Sequence, residues 1–274
     1  MFRGEAVNRP EPDEYARRAD VRRLLAAYDH AAQALDALFI NRFLPLFTDA
    51  GQPGYAPTYV SHEALLLEYE SALVRCGEHG QPYASSAHLL WIGERTRQPD
   101  GAHVAFAASI TNPVAVKIGP TATVDEVAAL IDRLGGPPGR LTLIVRMGAR
   151  AVTERLPALL DGLGSRARQV VWFTDPMHGN TVRLPSGQKT RVLTDIVAEV
   201  RGFFAALTAR GLPPGGLHLE LTPDPVTECV ADARALARPD PLPRYLSTCD
   251  PRLDHEQALT VVATAADLLV KGAA

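Results

Sequence analysis

Lys117 sits between Val116 and Ile118, and Arg146 closes the apolar run Leu141–Val145, so two cations stand where a fold would bury them. A buried charge is costly unless it is paired. With Arg95, in Gly93-Glu94-Arg95-Thr96-Arg97, they make a cationic set suited to a phosphate and a carboxylate, which guanidinium groups grip in bidentate fashion. His178, Glu220 and Asp250 offer an imidazole nitrogen and carboxylate oxygens, a donor set for Mn²⁺, Fe²⁺, Co²⁺ or Zn²⁺. Each residue also has a plainer reading. His178 alone reads as a hydrogen-bonded loop histidine. Asp250-Pro251 reads as a turn or a helix cap, and Arg95 and Arg97 as surface charges. Lys117 is hardest to explain in that way, because it lies inside an apolar run.

The elements that must position these groups follow from periodicity. Apolar runs of strand length cover His88–Ile92, Pro113–Ile118, Leu141–Arg146, Gln169–Phe173 and Leu217–Leu221. Helical spacing covers much of the first fifty residues, through Val21, Leu24, Leu25, Tyr28, Ala32, Leu35, Leu38 and Phe39. Pro10, Pro12, Pro45 and the Gly51–Gly54 turn punctuate that helix. Further helices are expected over His62–Val74, Ala151–Leu163, Arg191–Arg210, Pro225–Ala237 and His255–Val270, and Thr123 through Glu126 has the form of a capping box. Strands alternating with helices imply a parallel sheet, open or closed into a barrel. The chemistry-bearing residues fall at the C-terminal ends of the strands, the edge on which parallel α/β folds build their sites. The expected division is a helical segment over 1–50 and a catalytic domain over 51–274.

Composition narrows the classes. In 274 residues, 46% hydrophobic and 22% charged, there is enough apolar material for one sizeable core. A net charge of −3 lacks the basic surplus of a nucleic-acid binder. Nothing approaches the ~18–20 consecutive apolar residues of a membrane span, and the N-terminus lacks the apolar core of a secretory signal. The 3 cysteines, Cys76, Cys229 and Cys249, are odd in number and without a C-x-x-C pair, as expected of a protein of the reducing cytoplasm.

Longer blocks carry a family likeness. Ser61-His62-Glu63-Ala64-Leu65, Trp91-Ile92-Gly93-Glu94-Arg95-Thr96-Arg97, Asp100-Gly101-Ala102-His103 and Asn112-Pro113 with Val116-Lys117 and Gly119-Pro120 resemble class II DAHP synthases. So do Gly139-Arg140-Leu141 with Arg146-Met147-Gly148, Asp175-Pro176-Met177-His178-Gly179-Asn180-Thr181, Lys189-Thr190-Arg191, Thr227-Glu228-Cys229 and Cys249-Asp250-Pro251-Arg252-Leu253. The resemblance implies a (β/α)₈ barrel that condenses phosphoenolpyruvate with erythrose 4-phosphate. It implies metal ligation by His178, Glu220 and Asp250, with Mn²⁺ the expected ion and Co²⁺, Fe²⁺ or Zn²⁺ as alternatives. Lys117, Asp175 and His178 are the expected catalytic set. Glu94, Lys117 and Arg146 are expected to line the phosphoenolpyruvate site, Arg95 to contact a substrate phosphate, and Trp91 and Glu63 to support the pocket.

The family pattern also includes, ahead of this region, two strands with a cysteine metal ligand, an arginine and a Lys-Pro-Arg-Ser segment. None of these stands in this sequence, and Cys76 does not match the missing ligand. About six barrel strands are therefore expected here, with the first two missing. A small partner protein is expected to supply them. The alternatives are a homo-oligomeric, stand-alone enzyme using another aldehyde, and a non-catalytic subunit.

Overall fold

The computed structural model describes residues 5–11, 13–41, 46–47, 53–54, 58–237 and 240–272. Pro12, Pro45 and Gly51, assigned above as helix punctuation, lie outside them. The chain divides into two compact units, 1–60 and 61–274. The first contains helix α1, Val21–Asn41. Asp20 precedes it and accepts the Arg22 N–H at 3.1 Å, so a carboxylate meets the exposed amides of the first turn.

The second unit is built on six parallel strands: β1 (Ser61–Glu63), β2 (Leu89–Ile92), β3 (Val114–Ile118), β4 (Leu141–Val145), β5 (Val171–Thr174) and β6 (Pro214–Leu217). They pair in chain order from β1 to β6, without the reversal of a doubly wound sheet. The register sets Glu63 beside Trp91, Trp91 beside Ala115, Lys117 beside Ile144 and Val145 beside Thr174. Beyond β6 the chain continues to a parallel bridge between Leu221 and Leu253, which brings the 250–253 segment alongside 220–222.

Helices α2 (Leu67–Ala72), α3 (Ala102–Ser109), α4 (Val124–Leu134), α5 (Ala149–Leu163), α6 (Leu193–Thr208) and α7 (His255–Gly272) complete the unit. From α3 onward, consecutive helices pack on one another as a layer. Both faces of β3 and β4 are buried along their whole length. That explains why those strands read as unbroken apolar runs rather than alternating ones. The capping box forms as expected, with the Thr123 hydroxyl accepting from Glu126 N–H and the Glu126 carboxylate from Thr123 N–H. At β6 the spacing is so tight that a Cβ on Gly216 would lie 2.8 Å from the Phe173 ring. Only glycine lets that strand approach its neighbour.

Three expectations need correction. The span His62–Val74 is not one helix. Ser61–Glu63 joins the sheet as β1, and helix is confined to α2. The chain then leaves Leu73 for an antiparallel hairpin, Val74–Cys76 with Pro82–Ala84, so Cys76 lies in an extended segment rather than at a helix end. The span Pro225–Ala237 holds no α-helix, only a 3₁₀ turn at Ala233–Ala237. Val226, Cys229 and Val230 are buried as their spacing foretells, but through extended backbone whose Val230 bridges Val192. Arg191, assigned to a helix start, ends the hairpin Thr181–Arg183/Lys189–Arg191, and α6 begins two residues later. In each case tertiary pairing overrides local periodicity.

Candidate active site

The C-terminal ends of the strands bring the charged groups together. Lys117 projects from the last turn of pleat in β3 and is almost wholly buried. Two features make its charge tolerable: the Asp175 carboxylate, 2.8 Å from Nζ, and the Trp91 ring, whose centroid lies 4.4 Å away. Asp175 follows β5 and is itself fully buried. Burial pushes its carboxyl upward, but the hydrogen bond and charge of His178 and the charges of Lys117 and His218 outweigh this and hold it far below the ordinary range.

Asp175 also fixes His178. Its oxygens accept from His178 Nδ1–H at 2.7 and 2.9 Å, and Oδ1 accepts the backbone N–H groups of Met177 and His178. With Nδ1 carrying the proton, Nε2 is directed at Glu220, 3.2 Å away. Burial lowers the affinity of His178 for a second proton, but the two carboxylates raise it more, and the net shift is upward. Glu220 is pulled down to about 2: burial opposes ionisation, and the His178 hydrogen bond and the Arg191 charge overcome it.

Asp250 joins this pair across the Leu221–Leu253 bridge. The ligand atoms of His178, Glu220 and Asp250 all lie within 4.8 Å of one another, the one such group of His, Cys, Asp or Glu side chains among the described residues. Ligands about 2.0–2.2 Å from one ion stand roughly 3–4.4 Å apart, so this donor set fits a divalent first-row metal after small adjustment. The carboxylate behind His178 is the usual outer support of a metal-binding imidazole.

Of the other expected residues, Arg146 reaches this cluster and the rest lie elsewhere along the strand ends. Arg146 donates from Nη2 to the His178 carbonyl at 3.0 Å. Arg95 is exposed and makes no ion pair among the described residues, so its guanidinium is available to a ligand. Glu94 is already engaged, accepting from Arg97 Nε at 3.1 Å and from the Gly119 N–H. Its visible work is to shape the turn after β2. Arg97 continues that link to Glu126 of α4 at 3.3 Å. Glu63 packs against Gly93, where a Cβ would meet its carboxylate at 2.2 Å.

Several groups at the site went unassigned in the sequence. Lys189 and Arg191 alternate on one hairpin strand and therefore point the same way. Lys189 Nζ lies 2.5 Å from Asp250 Oδ1, while Arg191 donates to Glu220 and to the Pro251 carbonyl. Arg191 is fully buried with one guanidinium nitrogen, Nη2, left without a partner among the described residues. Glu228 organises the loop of Asp250 by accepting the N–H groups of Leu246, Ser247 and Arg252. His218 lies edge-on to Trp91, ring centroids 5.5 Å apart, and is pushed down to about 4 by burial and by Lys117. For Lys189, Arg191 and Glu228 the only sequence signal was charge inside a block of family likeness, and His218 lay outside those blocks.

Fold and site thus define a parallel α/β protein with buried, paired cations and a three-donor cluster at the C-terminal edge of its sheet. Residues 48–266 match the model of the Class-II DAHP synthetase family, and the chain belongs to that family. It is 44% identical over 244 residues to the phospho-2-dehydro-3-deoxyheptonate aldolase of Streptomyces coelicolor, covering 88% of this chain and 54% of that protein. It is 43% identical over 266 residues to a probable phospho-2-dehydro-3-deoxyheptonate aldolase of Pseudomonas fluorescens, covering 96% and 64%. The aldolase AroG of Mycolicibacterium smegmatis is 38% identical over 316 residues, covering 98% and 68%. The chain spans between about half and two thirds of these relatives' length.

Proposed function

We propose that this chain carries most of the active site of a 3-deoxy-7-phosphoheptulonate synthase, which joins phosphoenolpyruvate to erythrose 4-phosphate within a (β/α)₈-type barrel. The observation that carries the reading is the continuous string Trp91–Lys117–Asp175–His178–Glu220, which ends on the donors His178, Glu220 and Asp250. In this reading Arg146 and Lys117 hold the anionic groups of phosphoenolpyruvate, and Arg95 meets a substrate phosphate. The enolpyruvyl carbon attacks the aldehyde carbon, water adds to the neighbouring carbon, and inorganic phosphate leaves. A divalent ion, Mn²⁺ foremost, held by the three donors would supply Lewis acidity to the aldehyde oxygen. Asp175 keeps the proton on His178 Nδ1, so that Nε2 presents a lone pair. Trp91 and Asp175 both contact the buried Lys117 Nζ and hold it in place for an anion.

The β1 edge has no outer partner among the described residues. We assign that position to two further strands bearing the remaining aldose-phosphate groups, on this polypeptide or on a small separate one. The test is heptulosonate formation from the two substrates with Mn²⁺, by the full chain alone and after affinity co-purification from its native cells. Activity lost on chelation and absent in His178→Ala is the expected result. Turnover by His178→Ala at the wild-type rate would remove the cluster from the reaction.

A further inference from the structure

The turn after β4, which carries Arg146, and the turn after β5, which carries His178, are locked together from outside the pocket. Gly148 has φ +86°, a conformation that favours glycine, and a Cβ on Gly179 would lie 2.3 Å from Gly148 N, so the two backbones touch. Two buried side chains tie them. Glu199, on α6 and wholly enclosed, accepts Met147 N–H at 2.7 Å and Gly148 N–H at 2.9 Å on Oε1, and Asn180 Nδ2–H at 2.7 Å on Oε2. Asn180 in turn accepts the Ala149 N–H at 2.9 Å and donates to the Pro176 carbonyl at 2.8 Å.

No cation faces Glu199 among the described residues; its three partners are neutral donors. A buried carboxylate without a counter-ion is a poor device for stability alone. It does, however, fix direction. The Asn180 oxygen is committed to Ala149 and its nitrogen to two acceptors, so only an acceptor fits at Glu199. We infer that Glu199 is a positioning residue that, through Asn180, sets Arg146 and His178 relative to each other, so that the anion site and the metal-donor cluster share one buried support. The inference rests on the reading of the pocket given above.

Glu199→Gln is nearly isosteric but faulty in either orientation. One places its amide against Asn180 Nδ2, donor to donor; the other places it against the two backbone N–H groups. Asn180→Asp sets carboxylate against carboxylate. The double variant restores a donor–acceptor pair across that contact with reversed direction. The experiment measures Mn²⁺ affinity and, separately, phosphoenolpyruvate affinity of the full chain, together with amide exchange over residues 146–149 and 177–180.

The expected result for Glu199→Gln is a loss of about tenfold or more in both affinities, with faster exchange in both turns. The double variant is expected to recover most of that loss. If Glu199→Gln does not fold, Asn180→Asp is measured in its place with the same expectation. Unchanged affinity for either ligand, whatever happens to stability or exchange, overturns the shared-support role. Wild-type protein that binds neither ligand instead sinks the pocket assignment itself, a result distinct from a variant that matches a binding-competent wild type.

Discussion

Asp175 is the residue on which the site's charges balance, because Lys117 and His178 both meet its carboxylate. Replacing it by Asn leaves the Lys117 ammonium buried beside an aromatic ring with no counter-charge. Breaking a buried pair in this way costs about 3–5 kcal/mol, and denaturant unfolding of Asp175→Asn should show a loss of that order. The sign of the pH effect follows from the depressed carboxyl. Its stabilisation is present above the ordinary Asp value of about 3.9 and disappears only as the protein is acidified below it. His178 behaves in the opposite sense. Its proton affinity is raised, so a metal competes with a proton for Nε2. Mn²⁺ titrations should show affinity rising with pH, with the rise displaced above the ordinary histidine range, and a pH-independent affinity would exclude His178 from the ligand set. Of these residues, the sequence marked Lys117, Arg146 and His178 by type and position. It could not mark Asp175 without the family likeness, nor Lys189 and Arg191, whose acidic partners lie 61 and 29 residues away.

At the scale of elements, α6 contributes more than a packing face. Its Glu199 reaches the turns after β4 and β5, and burial, with the charge of Asp175 adding to it, pushes the carboxyl up to about 7 against the donors that favour ionisation. A carboxyl raised in the folded state stabilises fully below its unfolded value and loses that contribution as pH climbs through the folded one. Unfolding free energy should therefore decline between 4.5 and about 7 in the wild type. That slope should flatten in Glu199→Gln when both proteins are followed by denaturant titration across the range. Helical periodicity located α5 and α7 well because their apolar stripes face the layer they pack in, and the capping box marked the start of α4. It failed at Pro225–Ala237, where similar apolar spacing serves an irregular segment. There Glu228 gathers three backbone N–H groups in place of helical bonding.

For the whole molecule, the order β1 to β6 places the most enclosed strands in the middle and short strands at the margins. Local stability should follow that gradient. Hydrogen exchange should be slowest in β3 and β4, buried along both faces, and fastest in β1, which is three residues long and has one ladder neighbour among the described residues. Binding of a strand-bearing partner at the β1 edge should slow exchange at Ser61–Glu63 without changing β4. Slow exchange at β1 in the isolated chain would mean that this edge is already covered.

The sequence by itself determined the parallel α/β class, the positions of the central strands and the clustering of chemistry at their C-terminal ends. Those features are local: apolar runs, turn residues, and charges that fall where a run stops. Only the tertiary structure decided which charge meets which. The family likeness had already grouped His178, Glu220 and Asp250 as an expected ligand set, but the pairing of Lys117 with Asp175 and the tie from Glu199 to both turns depend on strands laid side by side in register. Side-chain direction across a sheet is set by that register and by neighbouring helices, and neither is written in the spacing of residues along one strand.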